Sequence, residues 1–170
     1  MSLSMPYTYT CNIFITTIRG GYTMANNRLS NLIGKFVRVN RGGPESSDGV
    51  LVAVKHDYIV LFIKKDGFIF YNLEHIKSIT LLNHHGRHDF HSLNHRTPRT
   101  FIEALRANKH RLIKVNRGGP DSVTGVLTEV HPHYIKLIAD HETVIIFTHH
   151  IKSFTPPLRT VNSLKVRNKR

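Results

Sequence analysis

An internal repeat constrains this chain more than any other feature of its sequence. The hexapeptide Val-Asn-Arg-Gly-Gly-Pro occupies residues 39–44 and recurs at residues 115–120. With an offset of 76 positions, residues 35–63 and 111–139 share 14 identities in 29. Self-similarity at a fixed offset indicates a tandem duplication, so each half of the chain is expected to form the same small unit.

A second shared motif extends the duplication toward the end of each copy. Residues 75–78 read His-Ile-Lys-Ser, and the same four residues stand at 150–153, where an offset of 75 implies one deletion in the second copy. We therefore predict a leader at 1–23, a first repeat at 24–82, a His-rich linker at 83–99, a second repeat at 100–157 and a basic tail at 158–170.

Each copy has the pattern of an all-β unit with short helices. Apolar runs are separated by turn signals such as Gly-Gly-Pro at residues 42–44 and Lys-Asp-Gly at residues 65–67. In the first copy the runs lie at 35–40, 50–54, 58–63, 68–73 and 76–81. This spacing predicts two tandem small five-stranded barrels of SH3-like or Sm-like type. A helix is predicted over residues 100–108, because Thr100 and Glu103 have the spacing of a capping box.

The charge balance predicts an acidic partner. The chain has 24 Lys and Arg against 11 Asp and Glu, a formal net charge of +13. Nucleic acid, an anionic polymer and an acidic protein surface are all compatible with this charge, and the charge alone does not distinguish these three kinds of partner. Hydrophobic residues make up 40% of the chain, which is enough for a core and excludes wholesale disorder. No apolar run approaches the roughly 18 residues of a membrane span, so no membrane partner is predicted.

Residues 1–23 differ from the rest of the chain in their charge and in the bases that can encode them. Residues 1–23 contain one charged side chain, Arg19, which begins an Arg-Gly-Gly run shortly before Met24. Such a run can be encoded by the purine-rich bases that position a bacterial ribosome ahead of a start codon. We hypothesise that Met24 is the native start, and the alternative is a genuine N-terminal arm. The intact mass of the natively expressed protein distinguishes the two.

The two Asn-Arg-Gly-Gly-Pro loops are candidate binding or structural motifs. Glycine lets a backbone approach a ligand closely, and arginine can bind a carboxylate or phosphate through two hydrogen bonds. The same residues suit a strand-ending turn, with glycine at positive φ and proline at its fixed φ. Both interpretations stay open, because the turn does not need the arginine side chain. The motif residues are Asn40, Arg41, Gly42, Gly43 and Pro44, with Asn116, Arg117, Gly118, Gly119 and Pro120 in the second copy.

The His-Ile-Lys-Ser segments supply four further candidate contact residues, His75, Lys77, His150 and Lys152. The segments are similar to the last strand of Sm-like proteins, where a histidine ahead of that strand serves structure or RNA contact. A histidine bonded to the backbone at a barrel corner is the simpler interpretation. Strand alternation would point both lysines outward.

The linker is a candidate metal site, although its surroundings argue against one. The imidazoles of His84, His88, His91 and His95 would share one helical face, and imidazole suits zinc, copper or nickel. Gly86 and the arginine-rich flanks oppose a preformed site, so we predict no metal and no cofactor. The sequence also lacks a nucleophile elbow, a Walker loop and a His-Glu-x-x-His motif, which predicts a protein that is not an enzyme.

At the level of motifs, the chain resembles the spore coat protein B family of Bacillus-type endospore formers. The residues that carry the resemblance lie at 31–46, 73–80, 89–93, 116–120 and 149–153. The resemblance implies a structural component of the spore coat, assembled from the mother-cell cytoplasm, that depends on other coat proteins for its deposition. Independently of the resemblance, exposed strand edges and basic surfaces would let copies of the chain pair with each other. A long phosphorylated serine-rich tail is typical of the family. Ser163 is the one serine of the tail here, so the phosphorylation is not carried over to this chain.

We therefore expect two β units that assemble into a coat through strand edges and exposed cations. The cations that we expect to be exposed are Arg41, Lys77, Arg117 and Lys152. The alternative is an Sm-like RNA-binding module, which the net charge and the five-strand pattern permit. The aromatic residues lie mostly in apolar runs rather than on an evident stacking platform, which argues against that alternative.

Overall fold

The predicted all-β class is confirmed by a computed structural model that describes residues 12–13, 28–83 and 98–157. Its strands are β1 Asn12–Ile13, β2 Phe36–Val39, β3 Ser47–Val54, β4 Tyr58–Ile63, β5 Gly67–Asn72, β6 Ile79–Leu81, β7 Leu112–Val115, β8 Val123–Val130, β9 Tyr134–Ala139, β10 Glu142–Phe147 and β11 Ser153–Thr155. Helix α1 spans Phe101–Arg106, and 3-10 turns span Leu73–His75 and Thr148–His150. Residues 28–30 are also helical.

The strands of the two halves pair in the same registers. Phe36 of β2 lies opposite Val50 of β3, and Leu112 of β7 lies opposite Val126 of β8 at an offset of 76. The register of both long strands shifts at corresponding places, after Leu51 in β3 and 76 residues later in β8. A β-bulge bends a strand and increases its twist, so both halves curl in the same way.

All the described strands belong to one open antiparallel sheet. Its order is β1-β6-β2-β3-β4-β5-β11-β7-β8-β9-β10. The prediction of two separate closed barrels is therefore not confirmed. The physical reason is that β11 pairs with β7 of its own half on one side and with β5 of the first half on the other. The outer edge of the fourth strand in the first half is thus covered by the second half.

The two halves also share one of the two cores. The first core is built within the first half, from residues such as Val37, Leu51 and Ile69. The second core combines residues of the second half with Tyr58 and Val60 from β4 of the first half. The second half therefore depends on apolar side chains of the first half for its interior.

Helix α1 lies where the capping box predicted a helix. The Thr100 hydroxyl accepts a hydrogen bond from the Glu103 N–H at 3.3 Å, and the Glu103 carboxylate accepts one from the Thr100 N–H at 3.2 Å. The helix buries Phe101, Ala104 and Leu105 against the second core. Within the described ranges, no helix has the length and apolar content needed to cross a membrane.

Candidate functional site

The asparagine of each Asn-Arg-Gly-Gly-Pro loop binds the His-Ile-Lys-Ser segment of the same half. Asn40 and Asn116 are buried and adopt positive φ angles of 55° and 51°. Their side-chain oxygens accept the N–H groups of Lys77 at 2.8 Å and Lys152 at 2.9 Å. Asparagine tolerates this left-handed conformation better than most residues do. The two motifs are therefore parts of one turn structure, which supports the structural interpretation of the asparagines.

The glycines and prolines of the two loops bring the halves into contact. Gly43 and Gly119 have φ angles of 81° and 84°, in the region that favours glycine. A side-chain carbon added at Gly118 would lie 2.9 Å from Cβ of Pro44, which leaves no room for one. The loop of the second half thus lies directly against the loop of the first half.

The two arginines of the loops have different surroundings. Arg41 is exposed, as expected. Arg117 is only partly exposed, and its guanidinium Nη2 lies 2.9 Å from Oδ2 of Asp66 in the first half. The expectation of an exposed Arg117 is wrong, because β5–β11 pairing places this loop against the first half. Its role differs from that of Arg41 although the local sequences are the same.

A buried carboxylate joins the two halves. Glu45 is about 9% exposed; its Oε1 accepts the Arg117 N–H at 2.9 Å, and its Oε2 accepts the Ser153 hydroxyl at 2.7 Å. Beside it, the buried Tyr71 hydroxyl donates to the Ser47 hydroxyl oxygen at 2.9 Å. Burial raises the pKa of Tyr71 to about 12, so this hydroxyl remains a donor at neutral pH.

A second set of contacts joins the start of helix α1 to the first half. The Asp57 carboxylate accepts the Phe101 N–H at 2.8 Å, and the Tyr58 hydroxyl donates to the Pro98 carbonyl at 2.6 Å. Burial raises the pKa of the Asp57 carboxyl above its ordinary value, and the Phe101 N–H opposes that shift. We call the two sets of contacts, with the β5–β11 pairing, the joint between the halves.

The joint also contains stacked aromatic rings. Phe70 of β5 stacks on Phe154 of β11, with ring centroids 4.6 Å apart and planes 12° apart. Phe154 meets Phe101 edge-on at 5.3 Å, and Tyr58 lies 5.8 Å from Phe70. Aromatic pairs in these arrangements add about 0.5–1.5 kcal/mol beyond the area that they bury. These rings therefore pack against one another within the chain.

The other candidate contact residues occupy mixed positions. Lys77 is exposed, whereas Lys152 is partly exposed and lies 3.5 Å from the Asp121 carboxylate. His150 is exposed beside the ring of His149, with centroids 4.1 Å apart. His75 is partly buried, and its Nε2 finds no hydrogen-bond partner among the described residues. The expected hydrogen bond to backbone is therefore not seen for that atom.

One face of the second half carries exposed apolar side chains beside a groove. Ile145 and Phe147 of β10 are 53% and 55% exposed. They line a groove of about 510 Å³ together with Asp121, His150 and Lys152. Among the described strands, β10 pairs only with β9, so its other edge lies open beside this groove.

The proposed linker site lies outside the described residues. His84, His88, His91 and His95 all fall in the 84–97 gap. Within the ranges 28–83 and 98–157, no cluster of three or more His, Cys, Asp or Glu side chains could hold a metal ion.

The joint contains residues that sequence reasoning missed. Glu45 and Asp57 lie in polar segments between apolar runs, where an acidic residue commonly stabilises a turn, so the sequence does not single them out. The available signal was a difference between the copies, because their counterparts at an offset of 76 are Asp121 and His133. Residues that differ inside otherwise similar loops mark the places where the two halves have different neighbours.

Taken together, the fold and the joint define a duplicated antiparallel β protein whose halves are fused edge to edge. No protein-family model matches the chain. It is 31% identical over 134 residues to Spore coat protein B of Bacillus subtilis (strain 168), a match that covers 75% of this chain and 34% of that protein. The chain is therefore related to the spore coat protein B family, as its motifs indicate, and it spans about a third of the length of the curated relative that it matches.

Proposed function

We propose that this protein is a non-catalytic structural component of the bacterial spore coat, where it acts as a protein–protein assembly module. The observation that carries the proposal is the match to a protein named Spore coat protein B across three quarters of this chain. Deposition of the protein from the mother-cell cytoplasm belongs to the same proposal. Its partners would be other coat proteins and further copies of the same chain.

Surface features of the described residues support an assembly role. An unpaired strand edge presents N–H and C=O groups that another chain can bind. The open edge of β10 is such a surface, and it carries the exposed side chains of Ile145 and Phe147. Arg41 and Lys77 are exposed cations that suit acidic protein surfaces.

The RNA-binding alternative gains little from the arrangement of the aromatic rings. Tyr58, Phe70, Phe101 and Phe154 pack on one another in the joint. Binding to single-stranded nucleic acid commonly uses exposed rings on which bases stack. Those four rings are engaged in packing, and Phe147 is the one phenylalanine of the described residues that is more than half exposed.

The proposal is tested by coat incorporation in a spore-forming host. We expect the wild-type protein to be extracted with spore coats, and Arg41→Ala/Lys77→Ala to be recovered several-fold less with an unchanged circular dichroism spectrum. Lys64→Ala/Lys109→Ala is the matched control, because it removes two exposed cations elsewhere. A wild-type protein absent from the coat would contradict the coat role. Equal recovery of the two double variants would contradict the contact role of Arg41 and Lys77.

A further inference from the structure

We propose that copies of this protein associate head to tail, with strand β10 of one copy pairing with strand β6 of the next in the register that β5 and β11 use within one chain. This proposal rests on the assembly role proposed above and specifies its partner, a second copy. The joint between the halves supplies the template for the contact.

The joint has a clear counterpart on the outer edges of the molecule. Within the chain, Phe70 lies opposite Phe154, and the Asn72 N–H donates to the Lys152 carbonyl at 3.0 Å. At an offset of 75, the counterpart of Phe70 is Ile145. The other counterparts are Phe147 for Asn72, Lys77 for Lys152, Ser78 for Ser153 and Ile79 for Phe154. The residues that would meet between copies are thus on β10 and at β6.

The edge of β10 is oriented for this pairing. Backbone groups of alternate residues point to the same side of a strand. Because the N–H of Asn72 points toward β11, the N–H groups of its counterpart Phe147 and of Ile145 point away from β9. Exposed strand edges with large apolar side chains are uncommon unless they are covered by a partner. Ile145 and Phe147 are each more than half exposed, as expected for a strand edge that binds a partner strand.

The groove beside β10 corresponds, in the second half, to the surface around Glu45 where the first half contacts the second. In the joint, Glu45 accepts hydrogen bonds from Arg117 and Ser153. The counterpart of Glu45 is Asp121, which is exposed and lines the groove. A second copy would bring Arg41 and Ser78 to Asp121. An aspartate in place of a glutamate shortens the reach by one methylene group and keeps the negative charge.

Strand β1 occupies the edge of β6 that this contact requires. It pairs Ile13 with Ile79 and Asn12 with Thr80. Ile13 of β1 therefore lies opposite Ile79 of β6, in the same way that Phe70 of β5 lies opposite Phe154 of β11. In the first half, β1 thus occupies the position that β5 occupies beside the second half. It is only two residues long, whereas β10 has six. A neighbouring β10 would displace β1, which makes this strand a cap on self-association in a chain that contains residues 12–13.

The contact between copies would be weaker than the joint within the chain. The counterpart of Val60 is Lys136, and the counterpart of Ala53 is Glu129. These two side chains form an ion pair with a distance of 2.7 Å on the outer face of the second half. Val60 lies in the second core and Ala53 packs against it. Polar residues at the counterpart positions favour a reversible contact over a permanent one.

A register-specific disulfide tests the geometry in the full-length chain. In a Cys11→Ser background with Asn12→Pro/Ile13→Pro to release β1, Lys77→Cys and Phe147→Cys would lie directly opposite each other between copies. Opposed residues of paired strands have the Cα separation that a disulfide needs. Oxidation should give a ladder of dimers, trimers and longer species on a non-reducing gel. The control combines Phe147→Cys with Lys64→Cys, an exposed position off the register, and should give no ladder.

The mass of the full-length protein in solution gives an independent readout. We expect the wild-type chain to be mainly monomeric and Asn12→Pro/Ile13→Pro to reach at least twice the monomer mass as its concentration rises. Adding Ile145→Pro should restore the monomer, because it removes an outward N–H from an edge strand without removing a bond to β9. Ile145→Thr keeps that N–H and is the control for the loss of the side chain.

The outcomes separate this proposal from the coat role. A proline-released chain that stays monomeric, or a ladder of equal intensity in the control, would overturn head-to-tail pairing whatever the coat assay shows. A ladder that forms in the chosen register alone would support the pairing even if the protein were absent from spore coats. If residues 158–170 of the same chain covered β10 instead, every variant would have the mass of a monomer, and this result would also overturn the proposal.

Discussion

The asparagine that opens each loop motif shows how one residue serves the fold. Asn40 and Asn116 end their strands in a left-handed conformation and bind the backbone of Lys77 and Lys152. Few other side chains combine a carbonyl oxygen at this short reach with tolerance of positive φ. The repeated asparagine is therefore explained by two requirements of the turn, and neither requirement involves a ligand.

Replacement of Asn116 by alanine should lower the free energy of unfolding by about 2–3 kcal/mol, because the partly buried Lys152 N–H loses its acceptor and alanine is strained at positive φ. Asn116→Gly relieves the strain but still lacks the acceptor, so its loss should be smaller. Urea unfolding followed by circular dichroism measures both. A glycine variant no more stable than the alanine variant would contradict the role given to the backbone conformation.

At the scale of elements, strand β11 determines how the halves are joined. It has only three residues, yet it pairs with β5 and β7 and buries Phe154 completely. The ring lies between Phe70 of the first half and Phe101 of helix α1. The stability that this strand provides therefore comes from its central position rather than from its length.

Truncation of the Phe154 ring has a matched control on β10, which precedes β11 in the chain and lies at the far edge of the sheet. Phe154→Ala should lower the free energy of unfolding by about 3–5 kcal/mol, the range for a buried phenylalanine. Phe147→Ala, at a site that is 55% exposed, should change it by less than about 0.5 kcal/mol in dilute protein. Denaturant midpoints at equal m-values provide the measurement. Equal losses at the two sites would mean that β11 does not hold the halves together.

At the scale of the whole molecule, the two halves are not independent domains. Tyr58 and Val60 of the first half lie in the core of the second, and Glu45 and Asp57 bind backbone N–H groups of the second. Removal of the first half would expose this core to water and remove the carboxylate acceptors of the Arg117 and Phe101 N–H groups. The small second half could not easily offset that loss, since little surface is buried by a unit of its size.

A peptide of residues 98–157 alone should therefore lack the circular dichroism spectrum and cooperative melting of the intact chain. The full-length protein should unfold in one transition, with fluorescence of tyrosines in both halves and far-ultraviolet circular dichroism giving coincident midpoints. Mixing the peptide with residues 24–83 is the complementary experiment, because it restores the missing partner. Cooperative folding of the isolated peptide would contradict the shared core.

Much of the local structure was predictable from the sequence. The repeat, the five strands of each half, the hairpin turns and the capping box of Thr100 and Glu103 were all recognisable, because they depend on neighbours within a few residues. Short-range sterics and hydrogen bonds determine such features wherever the segment lies in the fold. The structural role of the asparagines was one of two interpretations left open.

The relation between the halves was decided only by the tertiary structure. Arg41 and Arg117 lie in the same hexapeptide, yet one is exposed and the other is held against Asp66 and Glu45. Identical sequences cannot indicate which copy has a neighbour, since burial depends on strand pairing between distant segments such as β5 and β11. The sequence by itself determined that two similar β units exist. Long-range pairing decided that they form one open sheet with a shared core. It also decided that the edge of β5 is covered by β11, whereas the corresponding edge of β10 is uncovered among the described strands.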